Sequence, residues 1–132
     1  MVKLVVLDQE TLVQGNYRIN KAITWKRDRN NEWTDEGVLR GIANGKIYRG
    51  KVYGDCDDYV TCKFIWLHEV MGVPITQLKY KEMLVEVDGV TENHAVLCYF
   101  INPMEWYVLD NRFTVPIKKR YKDVQTRLEE NI

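Results

Sequence analysis

Residues 54–74 read GDCDDYVTCKFIWLHEVMGVP, a run with helical periodicity, a capping residue and a stop. Its apolar side chains recur at steps of four, four, three and four residues, the spacing of one buried helical stripe: Cys56, Val60, Phe64, Leu67 and Met71. Asp55 is suited to cap the first turn, and Gly72 followed by a proline is a typical stop. The stretch predicts a helix from about 55 to 71 with Cys56 at its N-terminus.

Three strand-like segments follow this helix. They are rich in β-branched, aromatic and aliphatic residues: LKYKEMLVEV from Leu78, HAVLCYFI from His94 and WYVLD from Trp106. Turn-forming pairs at 88–89 and 102–103 separate them, which predicts an antiparallel meander. His94 is expected to open one strand and Asp110 to close its neighbour, so the two lie near each other at one end of the sheet. A helix packed on such a sheet is an α+β fold.

The remaining segments are less regular. An N-terminal helix is predicted from four apolar residues: Leu12, Tyr17, Ile19 and Ile23. Residues 26–51 are polar and punctuated by glycine, which predicts a long connection with about one helical turn. A short closing helix is predicted from four residues at helical steps: Ile117, Tyr121, Val124 and Leu128.

Length and composition indicate a single globular domain over residues 1–132. Hydrophobic residues make up 45% and charged residues 29%, and the 19 basic and 19 acidic residues cancel, so a nucleic-acid partner is not expected. No segment is long and apolar enough for a membrane span, and the apolar stretch before Asp8 is too short for a signal peptide. We therefore expect a cytoplasmic chain without a membrane partner, with export by another route left open.

The three cysteines are odd in number, which argues against a disulfide framework. A zinc site fits badly, because Cys56 and Cys62 are about 240° apart on the helix and His68 lies on neither face. Cys62 and Cys98 are predicted to be small packing residues and His68 an ordinary helix residue. Cys56 is predicted to be the reactive thiol, because it lies at a helix N-terminus.

Cys56, His94 and Asp110 follow one another in the order that thiol chemistry needs. A thiol nucleophile needs a base to take its proton, and the base needs a third group that holds its tautomer. The structural alternative gives Cys56 a place in the core, His94 a strand edge and Asp110 a turn with Asn111. Both interpretations are open on spacing alone.

Three motifs resemble the bacterial transglutaminase-like cysteine peptidase family: GDCDDY at 54–59, NHAVLCY from Asn93, and WYVLDN ending at Asn111. They stand in the family's order and at similar separations. The resemblance implies a papain-like, transglutaminase-like core in which the cysteine helix packs on an antiparallel sheet. It also implies that Cys56 is the nucleophile, His94 the base and Asp110 the residue that orients the base.

The resemblance further implies a calcium site beside the nucleophile. Well-studied members of the family are calcium-dependent, and Asp55 and Asp57 occupy the positions of the ion's acidic ligands, although Asp57 stands where the family has glutamate. A bound calcium would cancel the carboxylate field that opposes a thiolate at Cys56. The alternative is that Asp55 caps the helix while Asp57 and Asp58 face water and meet the helix dipole. No organic cofactor is expected.

The function that follows is hydrolysis of a peptide bond through a thioester at Cys56, with a protein or peptide as substrate. The backbone N–H of Cys56 is expected to bind the oxyanion, and Tyr48 and Tyr53 are candidates for the second donor because they precede it closely. The same triad also suits a transglutaminase or deamidase acting on glutamine side chains. A third alternative is a catalytically idle binding domain that keeps the motifs as structure.

Overall fold

The computed structural model describes residues 3–26 and 34–121. Its α-helices are α1 (Gln9–Ala22), α2 (Glu36–Ala43) and α3 (Cys56–Ile65). Its strands are β1 (Ile23–Trp25), β2 (Val52–Gly54), β3 (Leu78–Val87), β4 (Val90–Asn102), β5 (Glu105–Leu109) and β6 (Ile117–Arg120). The described residues therefore form an α+β fold, as the sequence predicts.

The main sheet is antiparallel, with the strand order β3-β4-β5-β6. The three strands predicted after the cysteine helix are confirmed, but β4 begins at Val90, so His94 lies inside the strand and does not open it. The sequence did not indicate a strand at residues 90–93 because most of them are polar. They are extended all the same, because they pair with β3 as far as the hairpin turn. Asp110 follows the last residue of β5 directly.

The prediction of a closing helix is wrong where that helix was expected to begin, because the structure has strand β6 there. Ile117 pairs with Val108 and Lys118 with Tyr107, so this segment satisfies the outer edge of β5. Backbone groups on an open sheet edge need partners, and that requirement outweighs a helical spacing of apolar residues. Val124 and Leu128, the other two residues of that prediction, lie outside the described residues.

The cysteine helix begins and ends where the sequence predicts, but its last turn is wider than an α-helix. The α-helical part ends at Ile65, and a π-helical turn, Trp66–Val70, completes it. The backbone N–H of Met71 donates to the carbonyl of Trp66, five residues earlier, over 2.9 Å. Gly72 then ends the helix with a φ of +75°, a conformation that favours glycine.

Two helices cover α3 on the side away from the sheet. In α1, Leu12 and Ile19 are buried as predicted, whereas Tyr17 is exposed and Ile23 already belongs to β1. The region predicted to hold one helical turn contains the whole of α2, whose apolar residues Leu39 and Ile42 are buried. The short strands β1 and β2 pair in parallel and bring the end of α1 beside the start of α3.

Gly15 lets α1 approach α3 closely. A Cβ atom at this position would lie 2.0 Å from Cη2 of Trp66, which is not compatible with any side chain. The main core lies between the helices and one face of the sheet, where Leu97 and Tyr99 of β4 are buried. No helix among the described residues is long and apolar enough to cross a membrane.

Candidate active site

Cys56 is the first residue of α3 and is half-buried. Gly54 makes the tight approach to this position possible, because a Cβ atom there would lie 2.8 Å from Cβ of Asp58 and 3.0 Å from Cγ2 of Ile23. The backbone N–H of a residue in the first helical turn has no acceptor within the helix. The thiol of Cys56 and its backbone N–H group therefore lie together at the N-terminus of α3.

Asp55 and Asp58 form a capping box at this helix start. The backbone N–H of Asp58 donates to Oδ1 of Asp55 over 3.2 Å, and the backbone N–H of Asp55 donates to Oδ2 of Asp58 over 3.0 Å. The hydroxyl of Thr34 donates to the same Oδ2 over 3.0 Å. The predicted cap at Asp55 is confirmed, and Asp58 is bonded within the protein and does not simply face water.

Asp57 points instead to the sheet. Its Oδ1 lies 2.8 Å from the hydroxyl of Tyr80, which also lies 2.8 Å from Oε1 of Glu82. The hydroxyl has a single proton, so it donates to one carboxylate at a time. Burial, the hydrogen bonds to these two carboxylates and their charges raise the pKa of Tyr80 well above its ordinary value. Tyr80 and Glu82 were not found from the sequence, because only the strand register brings them to α3.

The two carboxylates proposed for calcium are thus engaged by different partners. Asp55 binds the helix backbone and Asp57 binds Tyr80. Over residues 3–26 and 34–121, no group of three or more histidine, cysteine, aspartate or glutamate side chains is arranged to hold a metal ion. A calcium site takes six to eight oxygen ligands, so this arrangement does not fit the ion as it stands. Calcium binding remains a prediction.

His94 and Asp110 are joined directly, across neighbouring strands. Nε2 of His94 lies 2.8 Å from Oδ1 of Asp110, and both side chains are buried. The backbone N–H of Arg112 donates to Oδ1 over 2.9 Å, and its Nη2 donates to Oδ2 over 2.7 Å. Asp110 is therefore held by two partners, one of which was not found from the sequence.

The charge state of Asp110 fixes the tautomer of His94. Burial acts to raise the pKa of Asp110, but the hydrogen bonds from Arg112 and His94 outweigh it, so the pKa lies below its ordinary value. An ionised carboxylate only accepts hydrogen bonds, so Nε2 of His94 carries a proton. In the neutral imidazole, Nδ1 is then the nitrogen with the lone pair, and it is the atom available to act as a base.

Cys56 and His94 line the same small cavity of about 70 Å³, together with Asn93 and Ala95. Burial raises the pKa of the Cys56 thiol, the backbone N–H of Ala95 lowers it, and the charges of Asp57 and Asp55 raise it again. The net pKa is above the ordinary value for cysteine. The thiol is therefore protonated at neutral pH and needs a base to become a nucleophile.

A second cavity of about 210 Å³ also borders His94. Its lining combines apolar side chains, Trp25, Val85 and Val87, with polar or charged ones, Glu92, His94, Asn111 and Arg112. Trp25 is 45% exposed. His94 thus borders both the small cavity of Cys56 and this larger one of mixed character.

Cys62, Cys98 and His68 lie away from this site. Cys62 and Cys98 are buried as predicted, and burial raises the pKa of both thiols, for Cys62 to about 12. Nδ1 of His68 lies 2.8 Å from the carbonyl oxygen of Val73, which ties the π-helical turn to the following loop. Cys62 and Cys98 are thus buried at the packing positions that the sequence predicts, and His68 lies in the π-helical turn at the end of the helix.

Tyr48 and Tyr53, the candidates for a second oxyanion donor, do not line the cavity of Cys56 within the described part of the chain. The hydroxyl of Tyr48 packs over Gly41, where a Cβ atom would lie 2.2 Å from it. The ring of Tyr53 lies under Nζ of Lys26, at 5.4 Å. Closeness in sequence to Cys56 does not bring either hydroxyl to the site.

Comparison of the chain with models of known protein families, with curated proteins and with solved structures finds no match. The family resemblance therefore remains a prediction that rests on the three motifs. The α+β architecture and the contact between His94 and Asp110 stand independently of it.

Proposed function

We propose that this protein is a cysteine peptidase with a papain-like core, which hydrolyses a peptide bond through a thioester at Cys56. The observation that carries the proposal is the buried pair of His94 and Asp110, joined over 2.8 Å, with Cys56 in the same cavity as the imidazole. A helix start that presents cysteine to an antiparallel sheet, with histidine and aspartate on neighbouring strands, is the arrangement that the family resemblance implies.

The first half of the reaction forms the thioester. Nδ1 of His94 takes the proton of the Cys56 thiol, and the sulfur attacks the peptide carbonyl carbon. Throughout this step the N–H group at Nε2 of His94 stays hydrogen-bonded to the Asp110 carboxylate. The backbone N–H of Cys56 donates to the oxyanion. The C–N bond then breaks, the imidazolium gives its proton to the leaving amine, and a thioester remains on Cys56.

Water completes the cycle. His94 takes a proton from a water molecule, whose oxygen attacks the thioester carbonyl. The C–S bond breaks, the proton returns to the sulfur, and a carboxylic acid leaves. Asp110 stays ionised throughout, because Arg112 and His94 hold its pKa low, and it stabilises the imidazolium in both halves of the reaction.

One observation favours a second candidate, a catalytically idle binding domain. The pKa of the Cys56 thiol is raised by burial and by the charges of Asp57 and Asp55, the reverse of the shift that activates most nucleophilic cysteines. The domain would then use the larger cavity beside His94, with its apolar and charged lining, to bind a peptide without cutting it.

Thiol mapping and product analysis distinguish these functions. The folded protein is treated with iodoacetamide, and modification at Cys56, Cys62 and Cys98 is followed by mass spectrometry. A peptidase is expected to be modified selectively at Cys56 and to release fragments from a peptide mixture, with one water added per cut. Glutamine products gaining about one dalton, or crosslinks to amines, would indicate acyl transfer to side chains instead. Slow modification of Cys56 and an intact peptide mixture would indicate the binding domain.

A further inference from the structure

Lys63 is a buried lysine that the proposed reaction does not use. It lies on α3, two turns after Cys56, and only 1% of its surface is exposed. Nζ has no hydrogen-bond partner among the described residues, and it lies 5.9 Å from the centre of the Tyr59 ring. Lysine is almost never fully buried unless its charge is paired, so this position needs an explanation.

Two contacts fix what faces Lys63. Three residues later, at the start of the π-helical turn, Trp66 packs against Gly15 of α1. One turn earlier, the hydroxyl of Tyr59 donates to the carbonyl of Ile23 over 2.7 Å. Lys63 therefore lies opposite the second half of α1, between these two contacts.

That half of α1 carries two asparagines with unpaired oxygens. Nδ2 of Asn16 donates to the carbonyls of Phe113 and Thr114, each over 2.9 Å. Nδ2 of Asn20 donates to the carbonyls of Asp110 and Phe113, over 3.2 and 3.0 Å. Oδ1 of each asparagine is buried without a hydrogen-bond partner among the described residues. Neither oxygen accepts a hydrogen bond from Nζ of Lys63, so the ammonium charge acts on this region through space.

The charges around Lys63 connect it to the candidate active site. Burial lowers the pKa of Lys63 to about 7, while the charge of Asp110 acts to raise it. Arg112 is bonded to the same Asp110 carboxylate, and His94 to its other side. On α1, the guanidinium of Arg18 donates to carbonyls at the end of α2.

We propose that Lys63 is a positioning residue, whose ammonium group lies between α1 and the 110–114 loop and holds Asp110 against His94. The charge attracts the Asp110 carboxylate from the core side without a direct hydrogen bond, while Asn20 ties α1 to the backbone carbonyl of the same residue. The inference rests on the proposed function for its effect on catalysis, but the coupling of Lys63 to Asp110 does not.

The coupling is measured first, by following the Cε carbon of Lys63 by NMR as a function of pH. The folded protein is expected to show a midpoint near 7 for this carbon, and the Asp110→Asn variant a midpoint lower by at least about half a pKa unit, because the attracting charge is gone. A midpoint near the ordinary value of about 10.4, or one that Asp110→Asn leaves in place, would overturn the proposal.

The catalytic effect is measured as a ratio of rates. Lys63→Met keeps the length of the side chain and removes its charge, and replacing a buried charge with an apolar group is often neutral for folding. The control is Lys79→Met, at an exposed lysine of β3. Iodoacetamide is expected to modify Cys56 roughly three- to tenfold faster in the natural protein than in Lys63→Met at pH 6, a fraction of what a general base contributes.

The pH dependence of this ratio separates positioning from packing. Lys63 is charged below its pKa, so the advantage of the natural protein is present at pH 6 and lost as the pH rises through 7 toward 8.5. A ratio that is the same at both pH values would mean that Lys63 acts only through packing, and the proposal fails. If Cys56 reacts no faster than Cys62 in any variant, the proposed function fails, while the NMR titration still decides the coupling.

Discussion

Cys56 and Cys62 lie six residues apart on one helix and in opposite environments. Cys56 is half-buried at the helix start, beside the backbone N–H of Ala95 and in a cavity with His94. Cys62 is fully buried, with Sγ 3.4 Å from the carbonyl oxygen of Leu39. The pKa of both thiols is raised, so a low pKa does not distinguish them. What distinguishes Cys56 is its half-buried position and the imidazole of His94 in the same cavity.

His94→Ala is expected to have the largest effect, because it removes the proposed base from the neighbourhood of Cys56 and leaves Cys62 unchanged. We expect kcat for peptide hydrolysis to fall by about 10² to 10⁴, the usual contribution of a general base. Hydrolysis of a peptide mixture, followed by mass spectrometry, measures it.

The matched control is His68→Ala, which removes the other histidine of the chain. It breaks the contact with Val73 and is expected to leave kcat unchanged while lowering the free energy of unfolding by about 1 kcal/mol. Equal losses of kcat in both variants would leave His94 without a role as base.

Alkylation rates in the folded protein test the same contrast. Cys62 is fully buried and the pKa of its thiol is raised to about 12, whereas Cys56 is only half-buried. We expect Cys56 to react much faster than Cys62 with iodoacetamide, and the two rates to become similar in denaturant. Similar rates in the folded protein would show that α3 opens readily and that Cys56 has no special access.

Asp110→Asn tests the residue that holds the base. Hydrogen bonds to an ionised group contribute about 1.5 to 3 kcal/mol each, so we expect the variant to unfold that much more easily at pH 7. The folded pKa of Asp110 is below the unfolded value of 3.8. The advantage of the natural protein is therefore fully present above 3.8 and lost as the pH falls through the folded pKa. Urea unfolding at pH 7 and pH 3 measures both, and an advantage independent of pH would contradict an ionised Asp110.

Asp55→Ala is expected to have the smallest effect, because it removes only the cap at the Cys56 end of α3. Loss of an N-cap lowers the free energy of unfolding by about 0.5 to 2 kcal/mol. Thermal melts measure it, with Asp57→Asn as the matched variant that keeps the cap.

Thermal melts also test calcium binding: a saturating ligand at 100 times its Kd adds about 2.7 kcal/mol to the free energy of unfolding. A calcium-dependent rise in Tm that Asp57→Asn abolishes would confirm the calcium prediction, and superimposable melts with calcium and chelator would contradict it.

Local signals in the sequence predicted the elements of the site well. The cap at Asp55 and the stop at Gly72 are chemical features of single residues, and both are found where predicted. The strands β3 and β5 begin within one residue of their predicted positions, because β-branched and aromatic residues mark them. His94 and Asp110 could be paired because a short turn separates their strands.

The residues that surround the triad could not be predicted in this way. Tyr80 reaches Asp57 because of the register of β3, and Asn20 reaches the carbonyl of Asp110 because of the way α1 packs on the rest of the fold. Contacts of this kind depend on strand register and on the packing angle between elements. Neither can be inferred from the spacing of residues along the chain. The start of β6 at Ile117 was missed for a related reason, since an edge strand is defined by its neighbour.

The π-helical turn at Trp66–Val70 gives α3 a place where its length can change. Such a turn holds one residue more than an α-helical turn, so a one-residue deletion within it would restore ordinary helical hydrogen bonding. The deletion would leave the first ten residues of the helix, with Cys56 at their head, unaltered. Insertions and deletions in descendants of this chain are therefore expected to collect in this turn, at the end of the helix farthest from the thiol.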